Sequence, residues 1–446
     1  MLVSIGLRLW LLIVSRHYLS SDEAVTAMET LDILNGGPIP FFLYGQLYGG
    51  GHTVEALMAL PLFAIFGPAD YLFKIGPAML SCVYILVVYL CLYQFVAKKY
   101  ALIAAAVFSF FATFVAFNFD FTGEMIMSFF GWLGLYFFFH SYFAEKEQPL
   151  FIILSGAAIG FAYYCFDYGL YYLFAVIMLW ALKENTQLWR RWQSILVLML
   201  GFFIGALPLI YYNLTHDFAN IRLLFSRAVQ SDPAPLLSAL MRFTRLLYHD
   251  LPAFFSLDID DFPPDISLVS YFSYALFVIS VLSIVVKMRS PILFLMRSFF
   301  TGRIAVLPAE QRVVYLLLLM ILYFAIYSLA SAGGKAARYL IILCPFISTI
   351  LAWPVYHLGR RHLVPAVVFI SFFGAFQIYF LAQLARDNTT VEWQIVTHGE
   401  DMKTLSKFLL DNNLTTVMTP YEIKWKLMFE SQRKIIGASY MFGFDR

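Results

Sequence analysis

Residues His52 to Gly67 read HTVEALMALPLFAIFG, and whether this stretch crosses a membrane decides the topology of everything around it. It is apolar, but a crossing helix needs about 20 residues, and this one carries His52, Glu55 and Pro61. If it does not cross, the basic loops fall on one side. These hold Lys98-Lys99, Lys146, Lys183 with Arg190-Arg191, the set Lys287, Arg289, Arg297, Arg303 and Arg312, and Arg360-Arg361. That side is then cytoplasmic. The other side receives Asp22, Glu23, Asp120, Glu124, Asp167, Asp217, Asp258, Asp260, Asp261 and Asp265. If it does cross, every later basic loop moves outside, against the positive-inside rule. The stretch therefore reads as a juxtamembrane or re-entrant helix on the outer face.

Composition supports the membrane reading. The chain has 446 residues, 61% of them hydrophobic and only 13% charged. Soluble domains carry roughly a quarter charged residues. Apolar runs recur at about 1–15, 73–96, 101–118, 125–143, 149–164, 168–182, 194–212, 267–286, 313–330, 339–355 and 363–384. The expectation is an all-α polytopic membrane protein with about eleven transmembrane helices, its N-terminus inside and C-terminus outside. The first run is short for a span and holds Arg8, as a trimmed start or a half-buried helix would. A net charge of +2 suggests no nucleic-acid partner. The four cysteines, Cys82, Cys91, Cys165 and Cys344, all lie in apolar runs and read as small core residues.

Working back from His52, the stretch Ser20 to Gly51 is polar where its surroundings are not. It reads SSDEAVTAMETLDILNGGPIPFFLYGQLYGGG. Ala24 to Leu34 can place Val25, Met28, Leu31 and Leu34 on one face, as in an amphipathic interfacial helix. Gly36, Gly37, Pro38 and Pro40 end it. Tyr44, Tyr48 and Gly49-Gly50-Gly51 follow as a flexible aromatic loop. Ser20-x-x-Glu23 fits a capping box, and acids suit a helix N-terminus. A capped helix also holds a carboxylate rigidly, so Asp22-Glu23 serves equally as a cap or as catalytic acids.

Working forward, two more outer regions stand out. Residues 213–266 form a long loop with Asp258-Ile-Asp260-Asp261 and Pro263-Pro264. Beyond about residue 385 charged residues return and the pattern alternates. Residues 401–412 read as helix, 415–419 as strand, 421–431 as helix and 434–438 as strand. The chain thus divides into a transmembrane module, 1–384, and a small outer-face α/β unit, 385–446. The module's first outer loop, 16–67, carries the juxtamembrane helices. The tail stops abruptly at Asp445-Arg446, as a chain with more sequence to follow would.

Acids against hydrocarbon are costly and default to functional candidates. Asp120, in FNFDFTGE, sits at the outer end of one span and Glu124 begins the next. Asp120 reads as a water-facing helix end or as a partner of Asp22. Two carboxylates at the mouth of a bundle suit a general base, a stabiliser of an oxocarbenium-like transition state, or a divalent-cation site held by Asp22 and Asp120. No metal cluster of specific spacing is present. Lys335 and Arg338, in SAGGKAARY, are the basic residues of a short outer loop. They read as interfacial anchors or as a grip on phosphate. Tyr44, Tyr48, His52, Glu55 and Glu124 complete the candidate binding set. A transporter or lipid flippase would also want such acids. It would place polar residues through the full depth and show matching halves with broken helices. Here the acids cluster at the outer end, no internal repeat is visible, and Pro208 and Pro345 lie in non-matching spans.

The run LRLWLLIV…SSDEAVTAMETLDILNGGPIPFFLYGQLYGG…VEALMALPLFAIFGPADYLFKIGPAML resembles the front end of the GT-C glycosyltransferases, within them the branch of protein O-mannosyltransferases and aminoarabinose transferases. ALPLIYYNLTHDF and ARYLIILCPF are weaker matches. The resemblance implies a polyprenyl-phosphate or diphosphate sugar as donor. It implies an acceptor hydroxyl on a glycan, lipid or protein, and inverting transfer on the outer face of a bacterial or archaeal plasma membrane. By position, Asp22 matches the catalytic loop acid and Asp120 the second outer-loop acid. Glu55 falls near a further acid, and Arg338 matches an arginine near the donor phosphate. The family's Lys-Pro-Pro after the first loop is replaced here by His52-Thr-Val-Glu55. The 47 Phe and 28 Tyr would wall a polyprenyl groove.

Overall fold

The computed structural model describes residues 2–14, 19–44, 46–115, 122–144, 146–183, 191–229, 235–255, 268–301, 307–308, 311–329, 337–359, 363–387 and 399–439. Its helices are α1 (Leu2–Val14), α2 (Ser21–Leu34), α3 (Gly51–Phe66), α4 (Asp70–Phe95), α5 (Lys98–Phe110), α6 (Thr122–Tyr142) and α7 (Pro149–Cys165). Then come α8 (Leu170–Lys183), α9 (Trp192–Gly205), α10 (Leu207–Thr215), α11 (Ala219–Val229), α12 (Pro235–Arg245), α13 (Leu251–Phe255) and α14 (Leu268–Lys287). Last are α15 (Arg289–Thr301), α16 (Val313–Leu329), α17 (Cys344–Gly359), α18 (Leu363–Asp387), α19 (Gly399–Asp411) and α20 (Tyr421–Glu430). Strands β1 (Thr416–Thr419) and β2 (Ile436–Ser439) flank α20 and pair in parallel, Thr416 opposite Ile436.

The protein is an all-α polytopic membrane protein, and each stretch expected to span lies on helix within the described residues. Asp70–Phe95, Ser270–Lys287 and Tyr339–Gly359 are each long and apolar enough to cross a bilayer. Trp192–Gly205 and Leu207–Thr215 would form one more span, bent by 64° between them. Pro208 at the start of α10 explains the break, since it has no N–H to continue the ladder. The 16 residues of α3 reach about 24 Å, short of a hydrocarbon core of ~30 Å.

The chain forms two compact units. The first holds Met1–Cys82, Val115–Ile126 and Tyr379–Arg446; the second holds Val83–Phe114 and Met127–Ile378. In the first unit Arg8 is buried, its guanidinium donating to Ser81 Oγ at 2.6 Å and to the Ser4 carbonyl at 3.2 Å. That bonding explains a charge in an apolar helix. The core of this unit is built around α2. Ala24, Val25, Ala27, Met28 and Leu31 pack with Leu43, Ala59, Phe63, Leu72, Phe73, Trp425 and Phe429.

The expectation of an amphipathic α2 is corrected here. Every residue from Glu23 to Leu31 is buried, Glu23, Thr26, Glu29 and Thr30 included. Helix α3 covers one face, and α20, from the C-terminal part of the same unit, packs on α2 as well. A helix enclosed this way needs no polar face, only partners for its polar side chains.

In the second unit α7 and α9 pack backbone to backbone. Gly156 and Gly160 on α7 meet Gly201 and Gly205 on α9, and a Cβ on any of the four would overlap the facing main chain. Where lipid removes the hydrophobic drive between helices, such close approach supplies the packing energy. All four cysteines are free and buried.

Candidate active site

The site is assembled from the two ends of short sequence signals in the first unit. Ser20 caps α2: its hydroxyl accepts from the Glu23 N–H, and Glu23 Oε2 accepts from the Ser20 N–H at 2.7 Å. The same carboxylate takes Lys74 Nζ at 2.5 Å and 2.6 Å, both side chains being only 2% exposed. Glu23, expected among catalytic acids, is thus a buried cap and ion-pair partner. Lys74 was missed in sequence, although a lone lysine in an apolar run should have called for an acid.

Asp22 sits beside it, half-buried, at the second position of α2. Its Oδ1 accepts from the Tyr421 hydroxyl at 2.7 Å. One turn on, Thr26 donates to the Asp22 carbonyl at 2.9 Å, and its hydroxyl lies 3.4 Å from His52 Nδ1. His52 Nδ1 is 3.6 Å from Glu55 Oε2.

Burial works against a charge on His52. The nearby Glu55 carboxylate, with the charges of Glu124 and Asp22, outweighs it and pushes His52 up to about 9. The ring is an imidazolium at neutral pH. Glu124 reaches this cluster because α3 and α6 start against each other. A Cβ on Gly51 would lie 2.6 Å from the Gly123 carbonyl, and one on Gly123 would lie 3.2 Å from His52 Nε2. Glu55 is fully buried, and neither carboxylate oxygen has a hydrogen-bond donor among the described residues.

Further along α2, Glu29 Oε1 accepts the Tyr44 N–H at 2.6 Å. Burial pushes its carboxyl up to about 8; that N–H and His52 oppose the shift, while Glu55 and Asp32 add to it. Glu29 is therefore a neutral acid at pH 7. Tyr44 donates to Asp32 Oδ2 at 2.6 Å, and burial, then Asp32, raise its own phenol. Ten residues of helix separate Asp32 from Asp22, about 15 Å. Tyr44, expected in the binding set, thus bonds to Glu29 and Asp32 toward the far end of α2. Tyr48 is half-buried.

The structure thus brings Asp22, His52, Glu55 and Glu124 into one electrostatic cluster and adds Thr26 and Tyr421 to it. Asp120 and Lys335 lie outside the described residues. Arg338 lies in the 3-10 turn Ala337–Leu343, its side chain outside the described set. Among the described residues no three His, Cys, Asp or Glu side chains converge as a metal-binding set.

No family model matches the sequence, nor does any curated protein. The solved structures similar over nearly the whole chain include two of one protein. One is the crystal structure of ArnT from Cupriavidus metallidurans bound to undecaprenyl phosphate, 11% identical, with a TM-score of 0.65 over 99% of this chain and 86% of that one. The other is ArnT of the same organism in the apo state, 12% identical, with a TM-score of 0.56 over 97% and 75%. At such identity the likeness speaks for architecture, and the architecture is the one that the front end of the sequence resembles: the chain has the GT-C fold.

Proposed function

We propose that the protein is a membrane glycosyltransferase. It moves a sugar from a polyprenyl-phosphate or diphosphate donor to an acceptor hydroxyl on the extracytoplasmic face, with inversion. The observation that carries this reading is the division of labour between adjacent acids. Glu23 supplies the cap and balances Lys74, while Asp22 stands half-buried on the same rigid turn. Asp22 acts as general base. It takes the acceptor's proton as the acceptor oxygen bonds to the sugar C1, and the C1–O bond to phosphate breaks. The phosphate departs with the bonding pair. His52, an imidazolium in the same cluster, supplies positive charge to that region. Any divalent cation would be held through Asp22, with Asp120 as the second acid. The GT-C fold supports the reading, since the similar ArnT structure holds undecaprenyl phosphate.

The test is Asp22→Asn in purified protein, given a polyprenyl-phosphate sugar and an acceptor. Turnover should fall by roughly 10²–10⁴-fold, with folding and lipid binding retained. A purely structural Asp22 would tolerate the change, because Asn keeps the side chain's size and an oxygen to accept from Tyr421. Near-normal turnover by Asp22→Asn refutes the base. Wild-type protein that translocates the lipid without transferring sugar refutes the enzyme.

A further inference from the structure

We infer that the C-terminal βαβ unit is a working part of the catalytic centre, and that Tyr421 is the positioning residue of Asp22. The inference rests on the reading of Asp22 as general base. Asp22 and Tyr421 are 399 positions apart in sequence, yet Tyr421 Oη donates to Asp22 Oδ1 at 2.7 Å. The phenol is the donor of this bond and the carboxylate oxygen the acceptor.

Three observations separate this bond from incidental packing. The cap of α2 is complete without it, since both hydrogen bonds of the capping box are made by Ser20 and Glu23. The phenol is held by its own helix: Trp425 and Phe429, one and two turns on, are buried in the core around α2, and Phe429 stacks on Phe63 at 6.0 Å. The same unit grips α2 at its other end, where Arg433 pairs with Asp32, and α19, just before it, reaches α4, where Lys403 is 3.4 Å from Asp70. The helix that bears the base is thus fixed at both ends by a segment that the sequence sets apart as a separate outer unit. A general base must hold its carboxylate within a fraction of an ångström of the productive geometry, at hydrogen-bond distance from the hydroxyl it deprotonates. Tyr421 fixes one oxygen of that carboxylate and so sets the plane of the other.

The experiment compares Tyr421→Phe with the wild type in purified full-length protein, supplied with a polyprenyl-phosphate sugar and acceptor. A hydrogen bond to a charged group is worth about 1.5–3 kcal/mol, so kcat should fall about 10- to 100-fold. The donor KM and the thermal midpoint should stay at wild-type values, because Phe keeps the ring and its packing. Replacing Tyr421 by 4-aminophenylalanine, which restores a donor at the same place, should recover most of kcat. A structural role would lower the thermal midpoint and would gain nothing from the restored donor. Wild-type kcat in Tyr421→Phe overturns the inference. So does a loss that 4-aminophenylalanine leaves unrepaired. Asp22→Asn run alongside keeps the two readings apart. An inactive Asp22→Asn with a fully active Tyr421→Phe refutes the positioning role alone, whereas an active Asp22→Asn refutes the base itself.

Discussion

Lys74→Met tests whether the turn that carries Asp22 is held from below by a buried charge. Lys74 Nζ lies 2.5 Å and 2.6 Å from the two oxygens of Glu23, and both side chains are 2% exposed. Removing one partner of such a pair strands a buried charge, at a cost of about 3–5 kcal/mol. Glu23 Oε2 still accepts the Ser20 N–H, and a hydrogen bond to a charged group offsets part of that. The expected loss is therefore about 3 kcal/mol, or roughly 10²-fold in the unfolding equilibrium. Glu23→Gln keeps an oxygen for the Ser20 N–H and removes the charge, so the double variant Glu23→Gln/Lys74→Met should return to within about 1 kcal/mol of the wild type. Equilibrium unfolding in mixed micelles, followed by circular dichroism, measures all three. The reasoning fails if Lys74→Met costs less than about 1 kcal/mol, or if the double variant is as unstable as the two singles added together.

Gly160→Leu should lose at least ~2–3 kcal/mol, because the new side chain meets the Phe202 carbonyl and the Ala206 N–H. Gly374→Ala, with nothing near the added methyl, should be neutral or slightly stabilising, and unfolding midpoints of the two variants check the contrast. Stability should fall as pH rises from 5 to 9, with a total of at least ~1 kcal/mol. The folded state keeps a proton on Glu29 up to about 8, against an ordinary 4.5, and on His52 up to about 9, against 6.5, so it binds more protons than the unfolded chain through both windows. Glu29→Gln should flatten the lower part of that profile, and a profile unchanged by the substitution would exclude Glu29. Cysteines placed at Ala69 and Lys146 should label from opposite sides of the membrane, and labelling of both from one side would reverse the proposed placement of α3.

Local signals were legible where chemistry is local. Ser20-x-x-Glu23 reads as a capping box and is one. The alternation after residue 400 reads as helix, strand, helix, strand, and α19, β1, α20 and β2 lie there. Pro208 marks the break between α9 and α10. What failed was anything decided by a distant cover. The 3.6-residue pattern of α2 cannot report that α20 covers the helix as well, nor that Arg433 and Tyr44 share Asp32 at its end. Tyr421 carries no sequence mark of its contact with Asp22, since a tyrosine opening a short helix is ordinary. Lys74 did carry one, a cation alone in an apolar run, and its acid partner lay in the stretch already singled out. Among the candidate residues, Asp22, Glu55 and Glu124 act on His52, whereas Glu23 pairs with Lys74 and Tyr44 bonds to Asp32.

The glycine contact between α7 and α9 also sets an order of events during synthesis. These two helices are partners, but α8 is made between them. Once α7 has left the ribosome it must wait, with Gly156 and Gly160 against lipid or translocon, until Gly205 has been added. At 5–20 residues per second that wait lasts on the order of seconds, far longer than a helix needs to form. A slowly translated codon run across α8 would lengthen the exposure, and a bulky substitution at Gly201 would leave α7 without a surface to close on. The second unit therefore has a vulnerable interval that belongs to its biogenesis and leaves no trace in the finished fold.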